Sequence, residues 1–145
     1  MGGRIASVGH SDLPEGRFFA RLAAHRVRAV VDVRSHPVSH VGHFNKDPLA
    51  AACAGHGVAY HHLPGLGGKR AVPYPAHMQT EDWERGYARL AEIGRAADQG
   101  GALAAFLCVE RDPADCHRRF IAARLEADGW EVLHILHDAR QARLW

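Results

Sequence analysis

Five short apolar segments, separated by stretches with helical spacing, constrain the fold of this chain more than any other feature. They run from Ile5 to Val8, Val27 to Val33, Val58 to Leu63, Ala102 to Cys108 and Glu131 to Leu136. Two of them contain uninterrupted apolar runs, which are typical of strands buried on both faces of a parallel sheet. The segments therefore predict five strands.

The stretches between the strands predict helices. In the longest of them, Trp83, Tyr87, Leu90 and either Ile93 or Gly94 recur along one helical face. Four helices are expected: one capped by Ser11 or Asp12, a short one from Pro48 to Ala54, one from Thr80 to Ala97, and one from Asp112 to about Asp128. Residues 35–48 and 69–76 are expected to be loops, the second a surface loop or lid.

The alternation of strands and helices implies right-handed crossovers and a mainly parallel sheet. We therefore predict an α/β fold, a three-layer sandwich with a Rossmann-like sheet. The chain has 145 residues, which is enough for one domain that buries roughly 70% of its unfolded surface. Residues 1–145 are accordingly assigned to a single domain.

The composition is that of a soluble globular protein, with 47% hydrophobic and 23% charged residues. The sequence has neither an 18-residue apolar run nor a signal peptide, so we expect a cytoplasmic protein without a membrane partner. Its three cysteines are expected to be reduced there. A net charge of +2 is only weak support for nucleic-acid binding.

Several polar residues follow directly after the predicted strands. His10 and Ser11 follow the first strand, Asp32 and Arg34 end the second, and Glu110 follows the fourth. In a parallel sheet these positions share the carboxyl edge, where open α/β folds bind their ligands. The sequence therefore predicts a functional site at that edge.

The strongest local motif is Cys108-x-Glu110, followed after five residues by Cys116-His117-Arg118. A thiol at a helix amino terminus can have a depressed pKa, which makes Cys116 a candidate nucleophile. The alternative is that Cys108 and Cys116 are small, inert core residues. The Cys-x5-Arg loop of cysteine-dependent phosphatases is absent from this motif, because Ala114 stands where the arginine would be.

The other candidates each have a functional and a structural interpretation. Glu110 is expected to be a general acid or base, or else to pair with an arginine. His10 and His117 can transfer protons near neutral pH or serve as structural histidines. Arg34 and Arg118 would hold a phosphate as a fork. Asp32 would instead hold one of those arginines or orient His10.

Two further motifs have weaker interpretations. Phe44 and Asn45 would stack on and hydrogen-bond a base, or else pack and cap the next helix. Gly65-Leu66-Gly67-Gly68 lacks the spacing of a phosphate-binding loop and is expected to form a turn. Cysteines and histidines supply potential zinc ligands, but not at the usual motif spacing, so no metal or cofactor is predicted.

A series of motifs in order along the chain resembles one known family. They are Ser7-Val8-Gly9-His10-Ser11, Asp32-Val33-Arg34, Pro37-x-Ser39, Phe44-Asn45, Leu66-Gly67-Gly68, Tyr74-x-x-His77-Met78-Gln79-Thr80, Cys108-x-Glu110, Cys116-His117-Arg118 and His134-Ile135. The pattern is similar to the domain of unknown function 488 family. The resemblance implies an α/β fold and an enzyme-like site without a known reaction. Pro73 and His40 depart from the family pattern.

We therefore expect a small enzyme, hydrolase- or transferase-like, that acts on an anionic substrate such as a nucleotide or a base in DNA or RNA. The expected catalytic residues are Glu110, His10, His117 and Cys116, and the expected substrate-binding residues are Ser11, Asp32, Arg34, Phe44, Asn45 and Arg118. One alternative is a non-catalytic module that binds nucleic acid or a nucleotide. Another is a cysteine-dependent thiol enzyme.

Overall fold

The computed structural model describes residues 2–68, 71–110 and 116–136. The strands in this part of the chain are β1 (Arg4–Gly9), β2 (Val27–Asp32), β3 (Ala59–His62), β4 (Leu103–Cys108) and β5 (Glu131–Ile135). The helices are α1 (Glu15–Ala24), α2 (Lys46–Gly55), α3 (Tyr74–His77), α4 (Glu81–Gln99) and α5 (Arg118–Ala127). All five predicted strands are present, with ends that differ by no more than one residue.

The strands form one sheet with the order β3-β2-β4-β1-β5, and every pairing is parallel. The chain leaves β1 towards β2 and leaves β4 towards β5, in opposite directions across the sheet. Open α/β folds form their ligand crevice where connections diverge in this way. The carboxyl ends of β2, β4 and β1 therefore border the expected position of a site.

Each face of the sheet has its own hydrophobic core, so the fold is the expected three-layer sandwich. Neighbouring residues of one strand enter different cores: Phe106 packs with α4 and α5, whereas Leu107 packs with α1 and α2. Side chains alternate between the faces of a strand, and both faces are covered here. This explains the uninterrupted apolar runs of β2 and β4.

The predicted N-terminus of α4 agrees with the structure, whereas the predicted cap of α1 does not. Thr80 is the N-cap of α4, where its hydroxyl accepts a hydrogen bond from the backbone N–H of Trp83. The prediction that Ser11 or Asp12 caps α1 is wrong, because Pro14 occupies the cap position and makes no side-chain cap bond. Ser11 instead adopts a left-handed backbone with φ of 47°.

The α2 and α5 regions also differ from the predicted boundaries. Helix α2 begins at Lys46, two residues before the expected start at Pro48. The expected cap at Asp112 and Pro113 lies outside the described residues, and α5 begins at Arg118. Among the described helices, none combines the length and apolar character that a membrane crossing requires.

The segment expected to be a lid is partly built into the core. Tyr74 lies in α3 and is buried; its hydroxyl donates to the Leu66 carbonyl oxygen and accepts from the indole N–H of Trp83. These bonds attach α3 to α4. Only residues 71–73 of the described part remain loop-like, and they connect to this fixed helix.

Candidate functional site

A pocket of about 320 Å³ opens at the carboxyl edge of the sheet. Four of the ten predicted site residues line it: Arg34, Glu110, Cys116 and His117. The rest of the wall comes from Ser35, His36, Val38, Gly68, Cys108 and Val109. The residues after β2 and β4 thus meet those before α5, as the parallel topology requires.

The floor of the pocket is a cluster of two thiols and one imidazole. Nδ1 of His117 lies 3.8 Å from Sγ of Cys108 and 3.7 Å from Sγ of Cys116. Nε2 of the same ring is 3.1 Å from the Val33 carbonyl oxygen. Since a carbonyl only accepts, Nε2 carries the hydrogen, and the lone pair of the neutral ring is on Nδ1, facing both sulfur atoms.

The two thiols change each other's acidity in opposite directions. A hydrogen bond from Cys108 lowers the pKa of Cys116 against the effect of burial, and a protonated His117 ring would lower it further. The same thiol–thiol bond raises the pKa of Cys108, and burial adds to this rise. The Cys116 sulfur is therefore the one that carries negative charge most readily in the free cluster.

Arg118 lies fully buried behind this cluster, at the start of α5. Its Nη1 donates to Oγ of Ser7 at 3.0 Å, and its Nη2 donates to the Glu110 carbonyl oxygen at 2.5 Å. Its Nε is buried without a hydrogen-bond partner, and it forms no ion pair with any described carboxylate. Arg118 therefore supplies a buried positive charge without a carboxylate counter-ion in the described part of the chain.

Glu110 contacts Arg118 through its backbone and not through its carboxylate. The alternative in which the Glu110 carboxylate pairs with an arginine is not observed among the described residues, and the side chain is exposed. The backbone turns tightly here, since a Cβ on Gly9 would lie 1.6 Å from the Glu110 carbonyl oxygen. Glycine at position 9 thus allows the strand ends of β1 and β4 to approach each other.

Arg34 is held by Asp32, which is the alternative raised by the sequence. Its Nε and Nη2 donate to the two carboxylate oxygens at 2.8 and 2.7 Å, and its Nη1 donates to the Phe44 carbonyl oxygen. Burial alone would lower the pKa of Arg34, but the Asp32 ion pair outweighs this and raises it. The expected phosphate fork is therefore already occupied, because each guanidinium nitrogen has a protein partner.

Tyr60 and His62 of β3 complete this buried network. The Tyr60 hydroxyl donates to Oδ2 of Asp32 at 2.5 Å, and burial together with that bond raises the pKa of Tyr60. His62 Nε2 is 2.8 Å from the Arg34 carbonyl oxygen. The network fixes the backbone after β2, which forms one wall of the pocket.

His10 is fully buried outside the pocket. Its Nδ1 donates to the Ser11 carbonyl oxygen at 2.8 Å, and its Nε2 faces Nη1 of Arg34 at 3.4 Å. Burial, and to a smaller degree Arg34, lower its pKa to about 4. A ring that is neutral and fully engaged at pH 7 matches the structural alternative for His10 rather than the proton-transfer role.

The aromatic and amide side chains expected to contact a base have internal partners. Phe44 is fully buried and stacks on His10 with ring centroids 4.3 Å apart. Oδ1 of Asn45 accepts from the Ser39 backbone N–H at 2.7 Å, and its Nδ2 donates to the Gly42 carbonyl oxygen. Phe44 therefore packs in the core, which is its structural interpretation. Asn45 holds the loop before α2 through these two hydrogen bonds, but its side chain does not cap the helix.

The paired glycines after Leu66 allow close approach to the site. A Cβ on Gly67 would lie 2.1 Å from Oγ of Ser35, and a Cβ on Gly68 would lie 2.7 Å from Nδ1 of His117. The segment is thus packed against the cluster. This contact was missed in the sequence, although two adjacent glycines without a phosphate-loop spacing indicate close packing.

A second pocket of about 300 Å³ lies at the opposite edge, near the starts of β2 and β4. Arg26, Arg28 and His56 contribute to its wall. It contains none of the predicted site residues. The predicted site residues that share a pocket therefore lie at the carboxyl edge, where Cys108 and His36 are two further lining residues that were not among the predicted ones.

The comparisons with known proteins give a family and no activity. No curated protein and no solved structure matches the chain significantly. The model of a family described as a domain of unknown function, DUF488, matches residues 16–125. This match includes β2 to β4, most of α5 and all the residues that line the pocket. The chain therefore belongs to the DUF488 family.

Proposed function

We propose that the protein is an enzyme that acts on a small anionic substrate, such as a nucleotide or a base in nucleic acid, in the carboxyl-edge pocket. The observation that carries this proposal is the gathering of a carboxylate, an imidazole and two thiols around one pocket of about 320 Å³. Small-molecule sites typically start at roughly 300 Å³ and combine apolar walls with a few convergent polar groups.

The preference for an anion rests on the unequal screening of the charges of Arg118 and Glu110. Arg118 is fully buried, so its positive charge is screened weakly. The Glu110 carboxylate is exposed, so water and salt screen it strongly. Arg34 and Asp32 largely cancel each other. The buried Arg118 charge thus favours negative groups in the pocket.

The roles that we propose for Arg34 and Arg118 differ from the phosphate-binding roles expected from the sequence. Glu110 is the general acid or base, because its carboxylate is accessible and forms no ion pair with the described residues. In its neutral form, His117 presents the Nδ1 lone pair to the pocket floor, because Nε2 donates to the Val33 carbonyl oxygen. Arg118 acts through its charge, and Arg34 positions the wall, since neither guanidinium has a free fork.

The test uses Glu110→Gln, with Glu126→Gln as the matched control. Glu126 is an exposed glutamate of α5 that does not line the pocket. Nucleoside 5′-phosphates and short DNA and RNA are incubated with each protein, and products are detected by mass spectrometry. We expect Glu110→Gln to reduce kcat by about 100-fold or more, as for loss of a general acid or base. Equal rates in both variants would contradict the role of Glu110.

Binding is measured separately, by fluorescence anisotropy with labelled oligonucleotides and nucleotides across a salt series. Anion binding must weaken as salt rises, and Glu110→Gln must bind at least as tightly as wild type because it removes a negative charge. Binding without any turnover would instead identify a non-catalytic binding module. Absence of binding at low salt would overturn the anionic substrate.

A further inference from the structure

We propose that Cys108, Cys116 and His117 bind a zinc ion, with the fourth coordination position open to the pocket. The two Sγ atoms and a nitrogen of the imidazole all lie within 4.8 Å of one another. The inference goes beyond the proposed function and does not depend on it, because metal binding can be measured without any substrate.

The distances from His117 to the two sulfur atoms are close to those of a tetrahedral zinc site. Zinc bonds of about 2.3 Å to sulfur and about 2.0 Å to nitrogen, at tetrahedral angles, place sulfur and nitrogen ligands about 3.5 Å apart. The observed separations from Nδ1 of His117 are 3.8 Å to Cys108 and 3.7 Å to Cys116. A zinc ion would therefore require shifts of only a few tenths of an ångström in these contacts.

The orientation of His117 is the one that a metal-binding histidine needs. Ligating histidines typically donate their second ring N–H to a carbonyl or carboxylate, which fixes the ring and its tautomer. Here Nε2 donates to the Val33 carbonyl oxygen, and the Nδ1 lone pair faces the two sulfur atoms. Gly68 packs against the same ring, so the imidazole is held from a second side.

The donor set selects zinc over the hard divalent cations. Two thiolates and one imidazole suit zinc and other thiophilic ions, whereas magnesium and calcium require mainly oxygen ligands. Both sulfur atoms belong to side chains that are only 7% exposed, so water competes weakly for them. Two thiolates also balance the charge of a divalent zinc ion, and the metal takes the place of the thiol protons.

Three protein ligands and one open position are the arrangement of catalytic rather than structural zinc sites. All three donor residues and Glu110 line the same pocket. A zinc ion there would hold a water molecule or a substrate oxygen on the pocket side. The site would thus add a Lewis acid to the acid–base group of the proposed function.

The first experiment measures metal binding directly. Protein freed of metal is titrated with Co²⁺, and the sulfur-to-metal charge-transfer and tetrahedral ligand-field bands are recorded; Zn²⁺ is then added in competition. Cys108→Ser, Cys116→Ser and His117→Ala must each weaken binding by more than the roughly 100-fold that loss of an outer partner costs. Cys53→Ala and His40→Ala are controls, because these residues lie outside the three-donor cluster and do not line the pocket, and they must retain wild-type affinity.

The second experiment needs no substitution, so it does not depend on the folding of a variant. Alkylation of each cysteine by iodoacetamide is followed by peptide mass spectrometry in metal-free and in zinc-loaded wild type. Equimolar Zn²⁺ must protect Cys108 and Cys116, and a chelator must reverse this protection. Cys53, which is buried in α2, is the internal reference and must react at the same rate in both states.

The outcomes separate the zinc proposal from its alternatives. The zinc site would be overturned by two results together: zinc does not slow a rapid alkylation of Cys116, and wild type binds Co²⁺ no more tightly than Cys116→Ser does. These results would favour the cysteine-dependent thiol enzyme. Glu110→Gln must keep its metal while losing turnover. Zinc binding without turnover on any anionic substrate would refute the proposed function and leave the metal site standing.

Discussion

Asp32→Asn provides the sharpest test of how the site is supported. The substitution keeps the size of the side chain but removes the charge that balances Arg34 inside the protein. Asp32 is fully buried and accepts hydrogen bonds from Nε and Nη2 of Arg34, from the Arg34 backbone N–H and from the Tyr60 hydroxyl. Removing one partner of a buried ion pair costs about 3–5 kcal/mol.

We expect the lower end of that range, about 3 kcal/mol, because asparagine retains one oxygen that can accept a hydrogen bond. At about 3 °C per kcal/mol for a chain of this size, the Tm falls by about 10 °C. Urea unfolding reports the loss of free energy. Tryptophan fluorescence is a suitable signal, because Trp83 and Trp130 are buried on one face of the sheet.

Two further variants make the result interpretable. Asp12→Asn removes an exposed aspartate and must change the free energy of unfolding by less than about 0.5 kcal/mol. The double variant Asp32→Asn/Arg34→Met removes both charges and must recover at least half of the loss, since it leaves no unpaired buried charge. If Asp32→Asn is as stable as Asp12→Asn, Arg34 does not depend on Asp32 and regains its expected role as a free phosphate ligand.

Protonation of His10 must destabilise the fold, because burial lowers its folded pKa to about 4 from an ordinary value of 6.5. The stability that neutral His10 contributes is fully present above pH 6.5, and about 3 kcal/mol of it is lost as the pH falls towards 4. In urea unfolding, the difference in free energy of unfolding between wild type and His10→Gln must therefore become smaller over that pH range. A difference that stays constant with pH would refute this. Gly68→Ala would place a Cβ 2.7 Å from Nδ1 of His117, so we expect it to weaken Co²⁺ binding by about 10-fold or more, like loss of an outer partner. Gly16→Ala is its control: no atom lies within 4 Å of the added Cβ, and in α1 it should stabilise the protein by about 0.5–1 kcal/mol without affecting Co²⁺ binding.

The sequence predicted the elements of the fold because burial leaves a strong local pattern. Strands covered on both faces must be apolar at successive positions, and β2 and β4 have that pattern. The start of α4 was equally predictable, since the Thr80 cap is a local interaction. The cap of α1 was mispredicted, because Ser11 and Asp12 are common capping residue types but the turn after β1 continues to Pro14.

The position of the site could be predicted, but the state of its charged groups could not. Strand alternation places the ends of β1, β2 and β4 at one edge whatever their order. The sequence offered Asp32 as a partner for one of the two arginines, but it did not indicate that Asp32 pairs with Arg34 and leaves Arg118 without a described carboxylate. These pairings depend on side-chain directions across a loop and between elements.

The amino-acid sequence by itself therefore determined a parallel α/β domain and the edge at which its polar residues gather. Only the tertiary structure decided which of them form a site. Cys108 and Cys116 are separated by seven residues, a spacing that no common zinc motif has. They meet around His117 because β4 ends in the middle of the sheet, and Cys116 and His117, just before α5, lie against that end. A metal ligand set depends on distances in space, and spacing along the chain reports those distances only when all ligands lie on one local element.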